Sequence, residues 1–242
     1  MRALIIAAPL FAALPGAAAA APVAALYEVR GEADLRGPEG AWAPAPKAAE
    51  LVRGSAVRTR SGSYADILYA DGTIVRVAEN SSLEIEDLRL SGEERAFSVK
   101  ALAGKFLFMA ARISRRSSRF SVRTPSAVCA VRGTDFAVLV SSFSSEVGLF
   151  EGSLEVTGSG EPEILEPGQQ ASAAEGAVLV SPRLDRVMQA EKRRYEKLRS
   201  YVRKTRARLA AREDFLQEHI GKRAGRLKGF DDRREEKLRR GK

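Results

Sequence analysis

Few residue types in this chain could carry out catalysis. Its 242 residues include one histidine and one cysteine, His219 and Cys129. A metal site or a nucleophile triad needs several such groups within reach of one another. The sequence also has no Gly-x-Ser-x-Gly elbow and no glycine pattern for binding nucleotide phosphates. We therefore expect no metal, no cofactor and no nucleophilic catalysis.

Carboxylates are the remaining candidates for acid–base chemistry. Glu84 and Glu86 are two residues apart in a predicted strand, so they share one face of it. Two carboxylates on one face suit glycoside hydrolysis, but solvated surface acids explain the pair more simply. We predict that the protein is not an enzyme and keep a carboxylate-dependent cell-wall glycosidase as the disfavoured alternative.

Cys129 is predicted to be a core residue. It lies in the apolar run Ala127-Val128-Cys129-Ala130-Val131, with no histidine or lysine beside it to lower the pKa of the thiol. A reactive thiol is the alternative, but small buried cysteines are more common. With a single cysteine no intramolecular disulfide can form.

Basic residues form the second group with a chemical role. Residues 183–242 carry 22 Lys and Arg against 10 Asp and Glu, whereas residues 1–182 carry 18 against 21. Neighbouring i,i+4 pairs cannot neutralise a net charge of +12, so we predict contact with an anionic partner. A second basic run lies between Glu94 and Asp135. The candidate contacts are Arg112, Arg115, Arg116, Arg119, Arg132, Lys192, Arg193, Arg194, Arg199, Arg203, Lys204, Arg206 and Arg208.

The N-terminus indicates where that partner lies. Arg2 and the apolar stretch Ala3 to Leu14 resemble the start of a secretory signal peptide, and the alanines after Gly16 offer cleavage sites. A membrane anchor would need roughly 20 continuous apolar residues. We expect residues 1–21 to be removed, the mature protein to have no transmembrane span, and its location to be periplasmic or secreted. The anion would then be lipopolysaccharide, peptidoglycan, acidic lipid or acidic protein, and nucleic acid is disfavoured.

The elements that must position these residues are mostly strands. From Leu26 to about Val180, short apolar runs alternate with polar turns, which is typical of a sandwich or barrel of antiparallel strands. Three hairpins are predicted. Their strands and turns are Tyr64–Tyr69 with Thr73–Val77 through Asp71-Gly72, Phe97–Ala101 with Lys105–Met109 through Leu102-Ala103-Gly104, and Glu146–Phe150 with Ser153–Thr157 through Glu151-Gly152. Trp42 is interpreted as closing a core edge, with a ligand platform as the alternative.

Near Ser181 the periodicity becomes helical. Ser181 and Pro182 fit an N-cap and a first helical residue, and no Gly or Pro follows until Gly221. We predict an amphipathic basic helix over 181–220 and a charged, fraying tail over 221–242. Its apolar stripe comprises Leu184, Val187, Met188, Tyr195, Leu198, Val202, Leu209, Leu216 and Ile220, interrupted at Glu191, Thr205 and Arg212.

The segment from Phe120 to Val138 resembles the centre of the FecR domain. A strand ends in the step Thr124-Pro125, a small apolar stretch follows, and Arg132-Gly133-Thr134-Asp135-Phe136 opens the next strand. The likeness extends over residues 50–172. Its other landmarks are Ala65-Asp66-Ile67, Asp71-Gly72-Thr73, Asn80 to Ile85, Gly104-Lys105-Phe106, Val147 to Val156 and Pro167-Gly168-Gln169.

The resemblance implies a jelly-roll-like β domain outside the cytoplasm. In the best-known members this domain follows a membrane helix and a cytoplasmic anti-sigma region, and it receives a signal from an outer-membrane iron-siderophore receptor. The sequence shows neither of those segments, so we expect no direct contact with a sigma factor. The residues themselves give the motif a structural role. Thr134 can bond nearby backbone, and Arg132 is expected to bond carbonyls of its own loop, with an anion contact as the alternative.

These observations predict an all-β fold, a jelly-roll-like antiparallel sandwich over residues 22–180, followed by a long basic α-helix. The predicted function is a non-catalytic exported envelope protein. Its β domain would bind a protein or glycan partner, and its helix would contact an anionic surface or partner. The alternative is a periplasmic sensory component that acts with a separate anti-sigma protein.

Overall fold

The computed structural model describes residues 22–46, 48–91, 94–112, 118–131, 133–212 and 214–221. These residues form a strand-rich body and one long helix, α1 (Arg186–Ala210), which is followed by helical residues 215–221. The strands in chain order are β1 (Ala24–Arg30), β2 (Ala33–Arg36), β3 (Ala43–Pro44), β4 (Glu50–Leu51), β5 (Ala56–Thr59), β6 (Tyr64–Tyr69), β7 (Ile74–Val77), β8 (Ser82–Ser91), β9 (Glu94–Met109), β10 (Ser118–Arg123), β11 (Val128–Val131), β12 (Asp135–Val140), β13 (Ser144–Glu151), β14 (Leu154–Thr157), β15 (Glu163–Leu165), β16 (Gln170–Ala174) and β17 (Ala177–Ser181).

The strands form two sheets. In sheet A the order is β4-β1-β6-β7-β9-β12-β13-β16-β17. In sheet B it is β3-β2-β5-β8-β9-β10-β11-β14-β15. Every pair is antiparallel except β9 with β10, which is parallel. That pair departs from the wholly antiparallel arrangement that the sequence predicts.

Strand β9 belongs to both sheets. Its first half pairs with β8 and β10 in sheet B, and its second half pairs with β7 and β12 in sheet A. The predicted hairpin through Leu102-Ala103-Gly104 is therefore wrong. Gly104, at φ +101°, lies where the strand passes from one sheet to the other. A Cβ there would lie 2.2 Å from Ser81 Oγ, so glycine permits close approach of two strands rather than a reversal of the chain.

The other two predicted hairpins have different outcomes. The hairpin of β6 and β7 is confirmed, with Ala65 opposite Val77 and Leu68 opposite Ile74. The hairpin through Glu151-Gly152 is wrong, because β13 pairs within sheet A and β14 within sheet B. The positive φ of Gly152 therefore serves a corner between the sheets.

The main core lies between the two sheets. Alternate residues of each strand face it, so Phe136 and Val138 are buried from sheet A, and Val122 and Cys129 from sheet B. Cys129 is completely buried, as predicted. Trp42 is half-buried at the rim, where the guanidinium of Arg58 lies 4.4 Å from its ring centroid.

Helix α1 covers the outer face of sheet A. Met188, Tyr195 and Val202 pack on apolar residues such as Leu107 and Ala137, which point away from the main core. A second, smaller core therefore forms between sheet and helix, and the molecule has three layers. The apolar stripe of the helix is therefore buried against the sheet of the same chain.

The stripe and the helix start differ from prediction. The N-cap is Asp185, which accepts a 2.7 Å hydrogen bond from the Met188 N–H, because Ser181 is still paired with Gln170 in the sheet. Glu191 and Thr205, predicted to interrupt the stripe, are buried on it. Val187, which the stripe includes, is exposed instead.

The chain leaves the helical path after Ala210. Residues 211, 212 and 214 are not helical, and helical residues 215–221 then pack against β1. There the ring of His219 lies 4.8 Å from the ring of Tyr27, and that of Phe215 lies 6.2 Å from it. The single helix predicted over 181–220 is thus two helical segments that begin after Asp185. The predicted signal segment 1–21 and tail residues 222–242 lie outside the described residues.

A strand-rich body followed by one long C-terminal helix is the fold class that the sequence predicts. The jelly-roll connectivity within that class stays a prediction.

Candidate functional site

A groove of about 1020 Å³ opens between helix α1 and the ends of the sheet A strands. One wall is the second half of the helix, and the other is formed by the turn before β7, the end of β9 and the corner between β13 and β14. Its lining contains four arginines and four acids, so its charges nearly balance. The lining residues are Ala70, Asp71, Gly72, Met109, Ala110, Ala111, Arg112, Asp135, Glu151, Tyr195, Glu196, Arg199, Ser200, Val202, Arg203, Arg206, Leu209 and Ala210.

Tyr195 connects the helix to the motif that carries the FecR resemblance. Its hydroxyl donates a 2.7 Å hydrogen bond to Asp135 Oδ2 at the start of β12. The other carboxylate oxygen of Asp135 is buried without a hydrogen-bond partner. Burial raises the pKa of Asp135, and the Tyr195 hydroxyl opposes that rise. A partly dehydrated acid therefore lies at the base of the groove.

Glu151 is shared by two arginines from different elements. Its Oε2 lies 3.1 Å from Arg112 Nη2 after β9, and its Oε1 lies 3.2 Å from Arg199 Nη2 on the helix. Both arginines are largely exposed, so the pairs are worth about 0–1 kcal/mol each. Two of the predicted anion contacts are thus held at the groove by an acid of the chain itself.

Arg206 fastens the helix to the strand ends. Its Nε donates to the carbonyl of Gly72 at 3.0 Å, and its Nη2 donates to the carbonyl of Met109 at 2.8 Å. Gly72 lies in the turn before β7 and Met109 is the last residue of β9, so the guanidinium ties the helix to backbone groups at the edge of sheet A. Arg206, predicted as an anion contact, therefore has a structural role in this conformation.

Thr134 lies beneath the groove at the corner of the two sheets. It is completely buried and its Oγ1 has no hydrogen-bond partner, so the predicted bond to nearby backbone is not formed. Gly152 packs so closely on it that a Cβ would lie 2.7 Å from Thr134 Cγ2.

A second polar network lies under the middle of the helix. Asp66 is completely buried and receives two 2.7 Å hydrogen bonds from Arg76, together with one of 3.2 Å from the Tyr201 hydroxyl. Burial raises the pKa of Asp66, and the Arg76 guanidinium opposes that rise. Removing one partner of such a pair would leave a buried charge uncompensated. This network fixes the helix on the sheet.

A smaller cavity of about 280 Å³ lies on the opposite flank of the helix. Glu191, buried on the helix, pairs with Arg194 at 2.6 Å, and Lys105 of β9 pairs with Glu79 at 3.4 Å. Arg194 and Lys105, which line this cavity, therefore already have acidic partners, whereas Lys197 at its edge has none among the described residues. We assign it no ligand.

The exposed side of α1 carries the remaining basic residues. Arg193, Lys197, Lys204 and Arg208 are exposed along one line of the helix, which we call the outer cation row. None of the four forms an ion pair with another described residue. At 1.5 Å per residue the row extends about 22 Å. Lys192 and Arg203 flank it on the groove side and are likewise unpaired within the described part of the chain.

Several predicted contacts cannot be placed. Arg115, Arg116 and Arg132 lie outside the described residues, and of Arg119 only its position in β10 is described. Of the thirteen predicted contacts the structure brings Arg112, Arg199, Arg203 and Arg206 to the groove.

The carboxylates considered for catalysis are already ion-paired. Glu84 lies 3.2 Å from Arg36, and Glu86 lies 3.0 Å from Arg123. Lys100 approaches both acids, at 3.9 and 3.6 Å. Both acids therefore serve as ion-pair partners of neighbouring cations in this conformation.

Nothing in the sequence pattern directly indicates the groove. Asp135 lies within the recognised motif and Tyr195 within the apolar stripe, but nothing in their spacing indicates that they meet across 60 residues. Gly72 lies in the hairpin turn that the sequence predicts, whereas Gly152 lies at a corner between the sheets and not in a hairpin. The sequence signals for this site are an acid, Asp135, within the motif and a tyrosine, Tyr195, on the apolar stripe of the helix.

The groove presents hydrogen-bonding groups and paired charges around a polar base. Within the described ranges, no three His, Cys, Asp or Glu side chains lie close enough together to hold a metal ion. In the same part of the chain, no helix has both the length and the apolar character that crossing a bilayer requires.

The family model described as FecR protein matches residues 55–155. The match runs from the residue before β5 into β14, and it includes Asp66, Asp135 and Glu151 but not α1. The resemblance seen in the sequence is confirmed over this range.

Two crystal structures of "a putative anti-sigma factor from Parabacteroides distasonis ATCC 8503" are similar to this chain. Each has 20% sequence identity and a TM-score of 0.45, and each alignment covers 53% of this chain. The chain spans 59% of the length of that protein. No curated protein matches the sequence.

Proposed function

We propose that this chain is a non-catalytic, exported protein of the cell envelope that binds rather than transforms its partner. Its FecR-containing sandwich is a module for a protein or glycan partner, which the groove beneath α1 would receive. Its helix holds cations toward an anionic surface or partner in the periplasm or outside the cell.

One observation carries the proposal: the two sides of α1 have separate roles. The side that faces sheet A is fully used, because Met188, Tyr195 and Val202 are buried there. The opposite side displays the outer cation row, whose charges have no acidic partner among the described residues. A row of unpaired charge on a rigidly held helix attracts polyanions and accelerates their association.

The groove supports the part of the proposal that concerns a protein or glycan partner. It is large enough for part of a macromolecular partner, and its rim includes Arg203, which is exposed and unpaired within the described part of the chain. Its base is fixed by the Tyr195–Asp135 and Arg206–Met109 hydrogen bonds. A site whose supporting contacts already exist loses little freedom when a partner binds.

Co-sedimentation with defined envelope components tests whether the outer cation row binds an anionic surface. The full chain is mixed separately with vesicles that contain acidic lipid, with purified lipopolysaccharide and with peptidoglycan sacculi. Binding to at least one is expected, and it should weaken as salt rises, because exposed charges are screened. A double reversal, Lys197→Glu with Lys204→Glu, should abolish it.

The matched control reverses two exposed cations elsewhere, Arg30→Glu with Arg53→Glu. It changes the net charge by the same amount and leaves the helix intact. Retained binding in this variant assigns the effect to the outer cation row. Equal loss in both variants, or the absence of binding to every component at low salt, would contradict the proposal.

The FecR match favours a second candidate, a periplasmic sensory component that acts with a separate anti-sigma protein. Deleting the gene would then change transcription from a sigma-dependent promoter in the source organism. Restoring the chain with Arg203→Glu at the groove rim should restore less of the response than the wild-type chain does. Unchanged transcription after deletion would exclude this candidate.

A further inference from the structure

The outer strands of the two sheets are not alike. Three of them are protected against pairing with another chain: β4 has two residues and exposes Glu50, β3 ends in Pro44, and β15 is a three-residue strand that begins with Glu163. Short length, charge and proline are the usual protections of a sheet edge. Strand β17 has none of these, because its five residues Ala177–Ser181 contain no charge and no proline.

The free side of β17 presents unpaired backbone groups. Glu175 and Gly176, at φ 51° and 85°, form a two-residue loop, so Ala174 and Ala177 are a hydrogen-bonded pair. Bonding alternates along an antiparallel pair, so the N–H and C=O groups of Val178 and Val180 point away from β16. The only strand among the described residues that pairs with β17 is β16.

The same strand exposes apolar side chains. Leu179 is 72% exposed and Val180 is 39% exposed. Exposed backbone and exposed apolar side chains on one edge are the combination that accepts an added strand.

We propose that a second copy of this chain occupies the edge. Its β17 would add antiparallel to the first across a two-fold axis at Leu179, and the two A sheets would join into one sheet. This surface is separate from the groove and from the outer cation row, so the inference does not depend on the proposed function.

The strand complements itself in this register. Leu179 lies opposite Leu179 of the second copy. Val178 of each copy lies opposite Val180 of the other, so the free backbone groups of these residues can form hydrogen bonds across the axis. The register also brings Glu175, two residues before the strand, to Arg183, two residues after it. Both are exposed, and neither forms an ion pair with a described residue. The symmetry creates this pair of opposite charges twice, so the second copy is the occupant that the charges favour.

The self-association is tested by sedimentation of the full chain over about a 100-fold concentration range, because a small interface gives a dimer whose population follows mass action. The wild-type chain should shift from monomer to dimer. Leu179→Lys puts two like charges at the axis, and we expect it to raise the dissociation constant about tenfold or more. Ile164→Lys is the matched control. Ile164 is 66% exposed on the protected edge strand β15, and its substitution should leave the dimer unchanged.

Charge exchange tests the register. Glu175→Arg alone and Arg183→Glu alone should each weaken the dimer, and the two together should restore it. A wild-type chain that stays monomeric throughout would overturn the proposal and leave the edge to a strand from another protein. Unchanged dimerisation in Leu179→Lys, or failure of the double exchange to restore association, would overturn it equally.

Discussion

The hydroxyl of Tyr195 on α1 donates a 2.7 Å hydrogen bond to Asp135 in the motif that opens β12. The FecR match ends at residue 155. The bond therefore joins a residue inside the matched range, Asp135, to a residue of the helix outside it, Tyr195. It makes the helix part of the groove whose other wall is the FecR domain. Substitutions around this contact therefore test whether helix and domain act as one unit.

The first prediction concerns the pH dependence of stability. Burial raises the pKa of Asp135 above its ordinary value of 3.8, so the folded chain binds this proton more tightly than the unfolded chain does. The contribution of Asp135 is fully present below the unfolded pKa and is lost as pH rises through the folded pKa. Asp135→Asn keeps an acceptor for Tyr195 but cannot ionise, so its stability should fall less between acidic and neutral pH.

Urea unfolding of both proteins at a series of pH values measures this difference. The control is Asp71→Asn, which removes an acid from the same groove. The same pH slope in wild type and Asp135→Asn would show that Asp135 is not the titrating group.

The second prediction concerns the attachment of the helix. Arg206→Ala removes two charge-assisted hydrogen bonds to the carbonyls of Gly72 and Met109. We expect a loss of about 1–3 kcal/mol in the free energy of unfolding. Amide exchange should increase first in the second half of α1. Arg203→Ala, on the same flank but without such bonds, should cost less than about 0.5 kcal/mol. Equal exchange in both variants would contradict the role assigned to Arg206.

The third prediction concerns the point where β9 changes sheets. Gly104→Ala places a methyl group 2.2 Å from Ser81 Oγ and 2.6 Å from Ser81 Cα, at a φ of +101°. Backbone strain and overpacking should together cost about 2–4 kcal/mol. Gly37→Ala has no atom within 4 Å of the new Cβ and serves as the control in thermal unfolding. A small effect at Gly104 would mean that the strands separate easily there.

The fourth prediction concerns the thiol of Cys129. Burial raises its pKa to about 12, so almost no thiolate exists at neutral pH. The folded protein should not react with a thiol-specific disulfide reagent at pH 8, and it should release one equivalent after denaturation. Reaction of the folded protein at the rate of a free thiol would show that the core opens at β11.

Local patterns in the sequence predicted some elements and misled on others. The hairpin of β6 and β7 was predicted because Asp71-Gly72 joins two alternating runs that do pair. The sequences around Gly104 and Gly152 have the same local form, yet one glycine lies within a strand and the other at a corner. A positive φ shows that the chain needs glycine, but pairing partners distant in sequence decide which shape it forms.

The helix too was predicted correctly in its local character but not in its contacts with distant residues. Its basic, amphipathic character was evident from residue spacing. Glu191 and Thr205 were interpreted as breaks because a stripe was expected to be apolar throughout. The sheet beneath the helix is itself partly polar, with the buried pair of Asp66 and Arg76 meeting Tyr201. Tyr201 of the helix thus meets a polar pair of the sheet, and Glu191 pairs with Arg194 of the helix itself, neither of which the spacing along the helix indicates.

The strand that belongs to both sheets has a consequence for how the chain folds. Residues of β9 pair with β8 and β10 on one side of the molecule and with β7 and β12 on the other. Neither sheet can complete its ladder until this single strand is in place, so the two halves of the sandwich share one cooperative unit. Two of its partners, β7 and β12, are not its neighbours in sequence, and such topology makes folding slow. The sandwich should therefore form in one late step rather than sheet by sheet.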